Sequence, residues 1–241
     1  MEKLNILGVN INKVNQKEAT DFLIKKLDED KCNMIVTPNS EIVMHAVKDP
    51  ELMAIINEAD LVIPDGIGLV YASRIMGSPL KERVTGIDFL SSALDYIKDK
   101  DMSVFLLGSK PGIAEKAGDN MRQKYPGLKI AGTHHGYFNQ DEEPDIIDKI
   151  NQTKADLVCL ALGSPKQEKI MAKYKDVLKA KICIGVGGSL DVWAGELKRA
   201  PDFYRNNGLE WLYRLIQQPS RYKRMVALPV FMMKVILNRG R

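Results

Sequence analysis

The stretch LVCLALGSPKQEKIM, residues 157–171, decides the fold. Residues 157–162 form an unbroken apolar run, the pattern of a strand covered on both faces. The run stops at Gly163, Ser164-Pro165 marks a turn, and Lys166, Gln167 and Glu168 crowd into the approach to a helix predicted over 167–178. Outward from here the same alternation recurs. Further strands are predicted over 4–11, 32–36, 61–63, 104–107, 128–131 and 182–186, and further helices over 16–27, 40–48, 51–58, 67–76, 87–98, 113–124 and 143–152. Asn15 is placed to cap the first helix. Strands separated by helices of this length predict an α/β fold, a mostly parallel, Rossmann-like sheet flanked by helices.

The chain has 241 residues, 45% of them hydrophobic, enough for a sizeable core in one domain or one domain with an appendage. The net charge of +4 hides an asymmetry. From Lys198 onward ten basic residues face two acidic ones, a surplus of +8, so residues 1–197 carry −4. A mildly acidic body with a basic tail suggests an anionic partner for the tail, nucleic acid or a lipid surface. Cys32, Cys159 and Cys183 are odd in number, widely spaced and beside predicted strands, which fits buried thiols in a reducing cytoplasm better than disulfides. MEKLNILGVNI does not read as a signal peptide, and no run reaches the ~20 apolar residues of a membrane span.

Ligands of such sheets bind beyond the carboxyl ends of the strands. The loops predicted there are TPNSE (37–41), PDGIG (64–68), GSKPG (108–112), GSPKQE (163–168) and GGSLD (187–191). Their glycines, prolines and small hydroxyls let a backbone approach a ligand, and each opens into a helix N-terminus, which favours phosphate. Five along one edge point to a phosphorylated ligand, a nucleotide foremost, with Gly108, Ser109 and Gly187 among the binding positions.

Asp65 can take a proton from a substrate hydroxyl or cap the next helix. Thr37 and Asn39 can bond a sugar or a base, and Asn39 can instead cap a helix. Arg83 can neutralise a diphosphate or sit solvated. Gln167 can both donate and accept, as sugar recognition requires, while Glu168 suits the helix dipole. His134-His135 lack metal-site spacing, and the acidic clusters at 28–30 and 99–101 sit at helix ends, so nothing demands a metal ion or cofactor. GVGGSL (185–190) lacks the spacing of a dinucleotide fingerprint.

From Ala200 the chain turns aromatic and basic. Leu209, Leu212, Tyr213 and Ile216 recur at helical spacing, and Arg221, Lys223 and Arg224 precede the apolar run 225–237, which Pro229 and Lys234 interrupt. The run is too short to span a bilayer and suits a membrane-surface segment. A helix docked on the body with a dimer contact is the competing reading, and nucleic acid fits poorly because the tail is so apolar. The expected division is a catalytic domain over 1–195 and a membrane-associating appendage over 196–241.

TPN (37–39), PDG (64–66), LLGS (106–109), LGSPKQE (162–168), GVGGSLDVWAG (185–195), RAP (199–201) and GLEWLYRL…QPSRYKR (208–224) together resemble the WecG/TagA/CpsF glycosyltransferase family, in order and over nearly the whole chain. The resemblance implies an inverting transfer from a UDP-sugar to an undecaprenyl-diphosphate-linked sugar, by a peripheral protein at the cytoplasmic face of the membrane. For the TagA branch it implies N-acetylmannosamine from UDP-N-acetylmannosamine, added to the 4-hydroxyl of lipid-linked N-acetylglucosamine in the wall teichoic acid linkage unit. It puts the base at Asp65 and pocket residues at Thr37, Asn39, Arg83 and Gln167. Arg214, Arg221 and Arg224 would then meet the lipid diphosphate or close over the donor. Sibling donors, UDP-N-acetylmannosaminuronic acid or UDP-glucose, remain open, as does a non-catalytic nucleotide-binding scaffold. Self-association through Leu209, Leu212 and Ile216 is a further possibility.

Overall fold

The computed structural model describes residues 1–238, apart from the side chains of Arg221 and Lys223. In chain order the elements are β1 (Lys3–Ile6), β2 (Val9–Asn12), α1 (Gln16–Lys26), β3 (Asn33–Val36), α2 (Ser40–Ala46), α3 (Pro50–Glu58), β4 (Leu61–Val62), α4 (Ile67–Ile75), α5 (Gly86–Ile97), β5 (Ser103–Gly108) and α6 (Ile113–Lys124). Then come β6 (Lys129–His134), α7 (Glu143–Thr153), β7 (Leu157–Ala161), α8 (Lys166–Tyr174), β8 (Ile182–Gly185), α9 (Ser189–Trp193), α10 (Asp202–Asn206), α11 (Glu210–Gln217), α12 (Tyr222–Met225) and α13 (Ala227–Leu237).

Strands β3 to β8 form one six-stranded sheet in the order β4-β3-β8-β7-β5-β6, with every pairing parallel. The alternation of side chains along each strand splits the core in two. Met34, Val36, Leu107, Val158, Leu160 and Cys183 face α2, α3, α4, α7, α8 and α13. Ile35, Val104, Leu106, Leu157, Cys159 and Ile184 face α1, α5, α6 and α9. This double cover explains the unbroken apolar runs. The three cysteines are free and buried, and burial pushes the Cys159 thiol well up from its ordinary value.

The strand predicted over 4–11 is instead an antiparallel hairpin, β1–β2, outside the main sheet. Leu7 and Gly8 turn the chain at φ 53° and 95°, the left-handed pair that a two-residue hairpin loop needs. The Gly8 N–H donates to Asn5 Oδ1 at 3.0 Å, a local bond that supports the turn. Leucine rarely adopts this conformation, so the turn was invisible within an apolar run.

Helix α13 returns to the core. Phe231 and Val235, four residues apart on α13, are buried against the α2 and α4 side of the sheet. Leu228 packs at the start of α4, where a Cβ on Gly68 would come within 2.7 Å of its Cδ1. Ile216, Val226, Met233, Ile236 and Leu237 remain exposed, and among the described residues no helix is long and apolar enough to cross a membrane.

Truncating the one fully buried aromatic ring of α13 tests its seat. Phe231→Ala should cost about 3–4 kcal/mol in urea unfolding, as for a core phenylalanine, whereas Met233→Ala should cost under about 1 kcal/mol. Equal small losses would show that α13 does not share the core.

Candidate active site

A cleft of about 840 Å³ runs along the carboxyl ends of the strands. The connection after β5 leads outward to β6, while that after β7 leads the other way, to β8. Such a switch point opens a crevice between the two strand ends. Loops after all six strands of the main sheet reach the cleft, and α11 to α13 cover it with Glu210, Trp211, Arg214, Arg224 and Leu228.

The loops are knitted together by their own polar groups. Thr37 is buried and donates Oγ1–H to the Gly185 carbonyl at 2.8 Å, tying the end of β3 to β8. Asn39 caps α2, its Oδ1 accepting from the Ile42 N–H at 3.0 Å. Gly66 brings the turn after β4 close to that cap, since a Cβ there would lie 2.9 Å from Asn39 Cβ. Gln167, also buried, accepts the Gly187 N–H on Oε1 at 3.2 Å and donates Nε2–H to Glu168 Oε1 at 2.9 Å. One side chain thereby joins the loops after β7 and β8. Glu168 is held above the usual carboxylate range by burial, so its role is internal. Lys166 is satisfied by the carbonyls of Gly136 and Phe138 at 3.2 and 3.3 Å.

At the switch point Gly108 has φ 139°, and a Cβ would lie 2.4 Å from the Ala161 carbonyl oxygen, so only glycine fits. Gly108 therefore packs behind the lining, while Ser109, at φ 57°, faces it and donates to Asp191 Oδ1 at 2.7 Å. Gly187 lines the cleft at φ 50°.

Asp65 lies on the cleft wall. It does not cap α4, whose N-cap position is Gly66 without a side-chain bond. Burial pushes its carboxyl up to about 6, against the opposing pull of Arg83 and Arg214, with Glu210 adding to the rise and the Gly86 N–H stabilising the anion. Arg83 donates Nε–H to the Asp65 carbonyl at 3.1 Å and pairs through Nη2 with Glu210, so it is not a solvated charge. Arg214 reaches the same Glu210 at 3.1 Å. Burial raises Glu210, but Arg214 and Arg83 outweigh it and hold that carboxyl below its usual range. Arg224 bonds Glu41 through Nε at 2.6 Å at the cleft edge. The side chain of Arg221 lies outside the described residues.

The structure thus brings Thr37, Asn39, Asp65, Arg83, Ser109, Gln167, Gly187, Arg214 and Arg224 to one cleft. Lys81 lies apart, paired with Glu18. Sequence reasoning missed Glu41, Asp191 and Glu210. The signal for Glu210 was available, because it is one of only two acids among ten bases and stands four residues before Arg214. Among the described residues no three His, Cys, Asp or Glu side chains group as metal ligands. The arrangement offers one weakly basic carboxylate beside fixed guanidiniums and backbone N–H groups, which suits proton removal next to a departing anion.

The sequence profile of the Glycosyl transferase WecG/TagA/CpsF family matches residues 4–241. The chain is 38% identical over 210 residues to an N-acetylglucosaminyldiphosphoundecaprenol N-acetyl-beta-D-mannosaminyltransferase of Bacillus spizizenii, covering 87% of this chain and 81% of that protein. A protein of the same description from Bacillus subtilis is 34% identical over 94% of this chain and 89% of its own length. Another, from Staphylococcus aureus, is 33% identical over 97% and 92%.

The raised Asp65 carboxyl has a thermodynamic signature. Its ordinary value is 3.8 and its folded value about 6, so the folded state holds the proton more tightly. The stability linked to it is present below pH ~4 and is lost as pH rises through ~6. Asp65→Asn should therefore melt about 3–5 °C above wild type at pH 8, with the gap closing towards pH 4. A gap that is absent at pH 8, or unchanged at pH 4, would contradict this environment.

Proposed function

The chain belongs to the WecG/TagA/CpsF glycosyltransferase family, and we propose that it moves N-acetylmannosamine from UDP-N-acetylmannosamine to the 4-hydroxyl of undecaprenyl-diphosphate-linked N-acetylglucosamine, with inversion, as in wall teichoic acid linkage-unit synthesis. The observation that carries the chemistry is Asp65, a carboxyl raised to about 6 beside two arginines in the cleft. The activities for which the relatives are named support the choice of sugar and acceptor.

In this reading the acceptor oxygen attacks the anomeric carbon from the face opposite the nucleotide. Asp65 takes the hydroxyl proton as the new glycosidic bond forms and the carbon–oxygen bond to UDP breaks. UDP leaves with the bonding pair, its charge met by the guanidiniums and by backbone N–H groups of the loops. Asp65 then returns its proton to solvent. Thr37, Asn39, Gln167, Ser109 and Gly187 shape the donor site, and Arg214, Arg221 and Arg224 meet the diphosphate groups.

The same proposal puts the protein on the inner face of the plasma membrane, where a cytoplasmic nucleotide sugar and a lipid-linked acceptor can meet. Ile216, 60% exposed, and Leu237, 75% exposed, support this, as do Val226, Met233 and Ile236 beside the basic segment. An apolar fringe flanked by cations suits an anionic bilayer surface.

Wild type, given UDP-N-acetylmannosamine and a short-chain lipid-diphosphate N-acetylglucosamine with EDTA present, should release UDP and form the disaccharide lipid. UDP-N-acetylmannosaminuronic acid and UDP-glucose should serve far less well, and turnover led by either would move the assignment to a sibling activity. The rate should fall below pH ~6, and Asp65→Asn should lower kcat by about 10²–10⁴-fold. Near-normal turnover of that variant would remove Asp65 from the role of base. Ile216→Glu with Met233→Glu should weaken binding to anionic lipid vesicles by ~10-fold or more, and unchanged binding would reject this membrane face.

A further inference from the structure

We propose that Glu210, carried into the cleft on α11, is a positioning residue that engages Arg83 and Arg214 and keeps both guanidiniums off the catalytic carboxylate. The inference rests on Asp65 as the base.

Glu210 is 7% exposed and uses both carboxylate oxygens, Oε2 on Arg83 and Oε1 on Arg214. Arg83 is held from the other side by its bond to the Asp65 main-chain carbonyl. The contacts therefore run from α11 through Arg83 to the backbone that carries the base. Two guanidiniums beside a half-buried Asp65 would, without a competitor, pair with it. A base bound in that way is less basic and has its lone pairs occupied, so it is a poor acceptor of a hydroxyl proton. The ion pairs of Arg83 and Arg214 go instead to Glu210.

The charge count agrees. With Asp65 ionised, it and Glu210 balance Arg83 and Arg214. Loss of the Glu210 charge leaves a surplus of one positive charge around Asp65. The direct neighbours are Arg83 from the loop before α5, the Gly86 N–H of α5, and Arg214 and Glu210 of α11. The remaining charged groups lining the cleft are Glu41, Lys110, Asp191, Glu196 and Arg224. Burying a carboxylate is costly unless it is fully paired, and an apolar side chain would fill the space more cheaply. Positioning accounts for a buried acid in an otherwise basic segment.

The test uses the full chain labelled with ¹³C at the aspartate carboxyls, with the Asp65 resonance assigned by its loss in Asp65→Asn. In wild type Asp65 should titrate near 6. In Glu210→Gln the midpoint should fall by about one pH unit, kcat should fall by about tenfold or more, and the acid limb of the rate profile should move down with the midpoint. Glu210→Asp keeps the charge but shortens the reach. It should restore the Asp65 midpoint and only part of kcat, and it carries the test if the Gln variant folds poorly. An unmoved midpoint in Glu210→Gln, or wild-type kcat in both variants, would overturn the proposal. A midpoint shift in Glu210→Gln, with wild-type protein that fails to transfer the sugar, would overturn the substrate assignment and leave the role of Glu210 standing.

Discussion

A parallel sheet buried on both faces can receive a ligand only at its edges and ends, and this constraint shapes everything else in the molecule. With α2, α3, α7 and α8 on one face and α1, α5, α6 and α9 on the other, both faces of the sheet pack against apolar clusters. Polar chemistry is expelled to the loops at the strand ends. Because the pairings are all parallel, those loops lie on one side and open into helix N-termini. The cleft is the necessary consequence of the layer arrangement, and its lining is drawn from segments more than a hundred residues apart in the chain.

Within that cleft the dominant balance is between desolvation and compensating charge. Burial makes Asp65 a better proton acceptor than a solvated carboxylate, and the two arginines work against that gain. The proposed inverting transfer needs both effects, since it creates an acid at one end of the reaction and a diphosphate anion at the other. A counter-ion for the arginines reconciles them. In that mechanism Asp65 keeps its affinity for a proton while the cations stay near enough to meet the leaving group. The hydrogen bonds of Thr37 and Gln167 serve the same end mechanically, because they fix neighbouring loops to one another before any ligand arrives.

The sheet was legible in the sequence because alternation of apolar runs with helical periodicity is a local signal, and helix ends were misread by only a few residues where caps were weak. α8, for example, begins at Lys166 and ends at Tyr174, short of the expected 178. The hairpin was not legible, because its turn uses a leucine in a conformation that leucine rarely takes. In the site, residues at strand ends could be named from position alone. Glu210 could be singled out by its charge among bases and its spacing to Arg214, but its pairing with Arg83, 127 residues away, could not be read from the sequence. The seat of Phe231 and Val235 was hidden for a similar reason, since an apolar helix beside cations suits a lipid surface as readily as a protein one.

Two of the ion pairs that tie the α11–α13 segment to the body differ in their access to water. Arg224, whose side chain is 49% exposed, meets Glu41 at the rim, whereas the Arg83–Glu210 pair has side chains only 16% and 10% exposed. Mobile ions screen the first strongly and the second weakly. Rising ionic strength would therefore loosen the outer fastening long before it disturbs the environment of Asp65. The cover of the cleft therefore carries one fastening that responds strongly to the surrounding electrolyte and one that responds weakly.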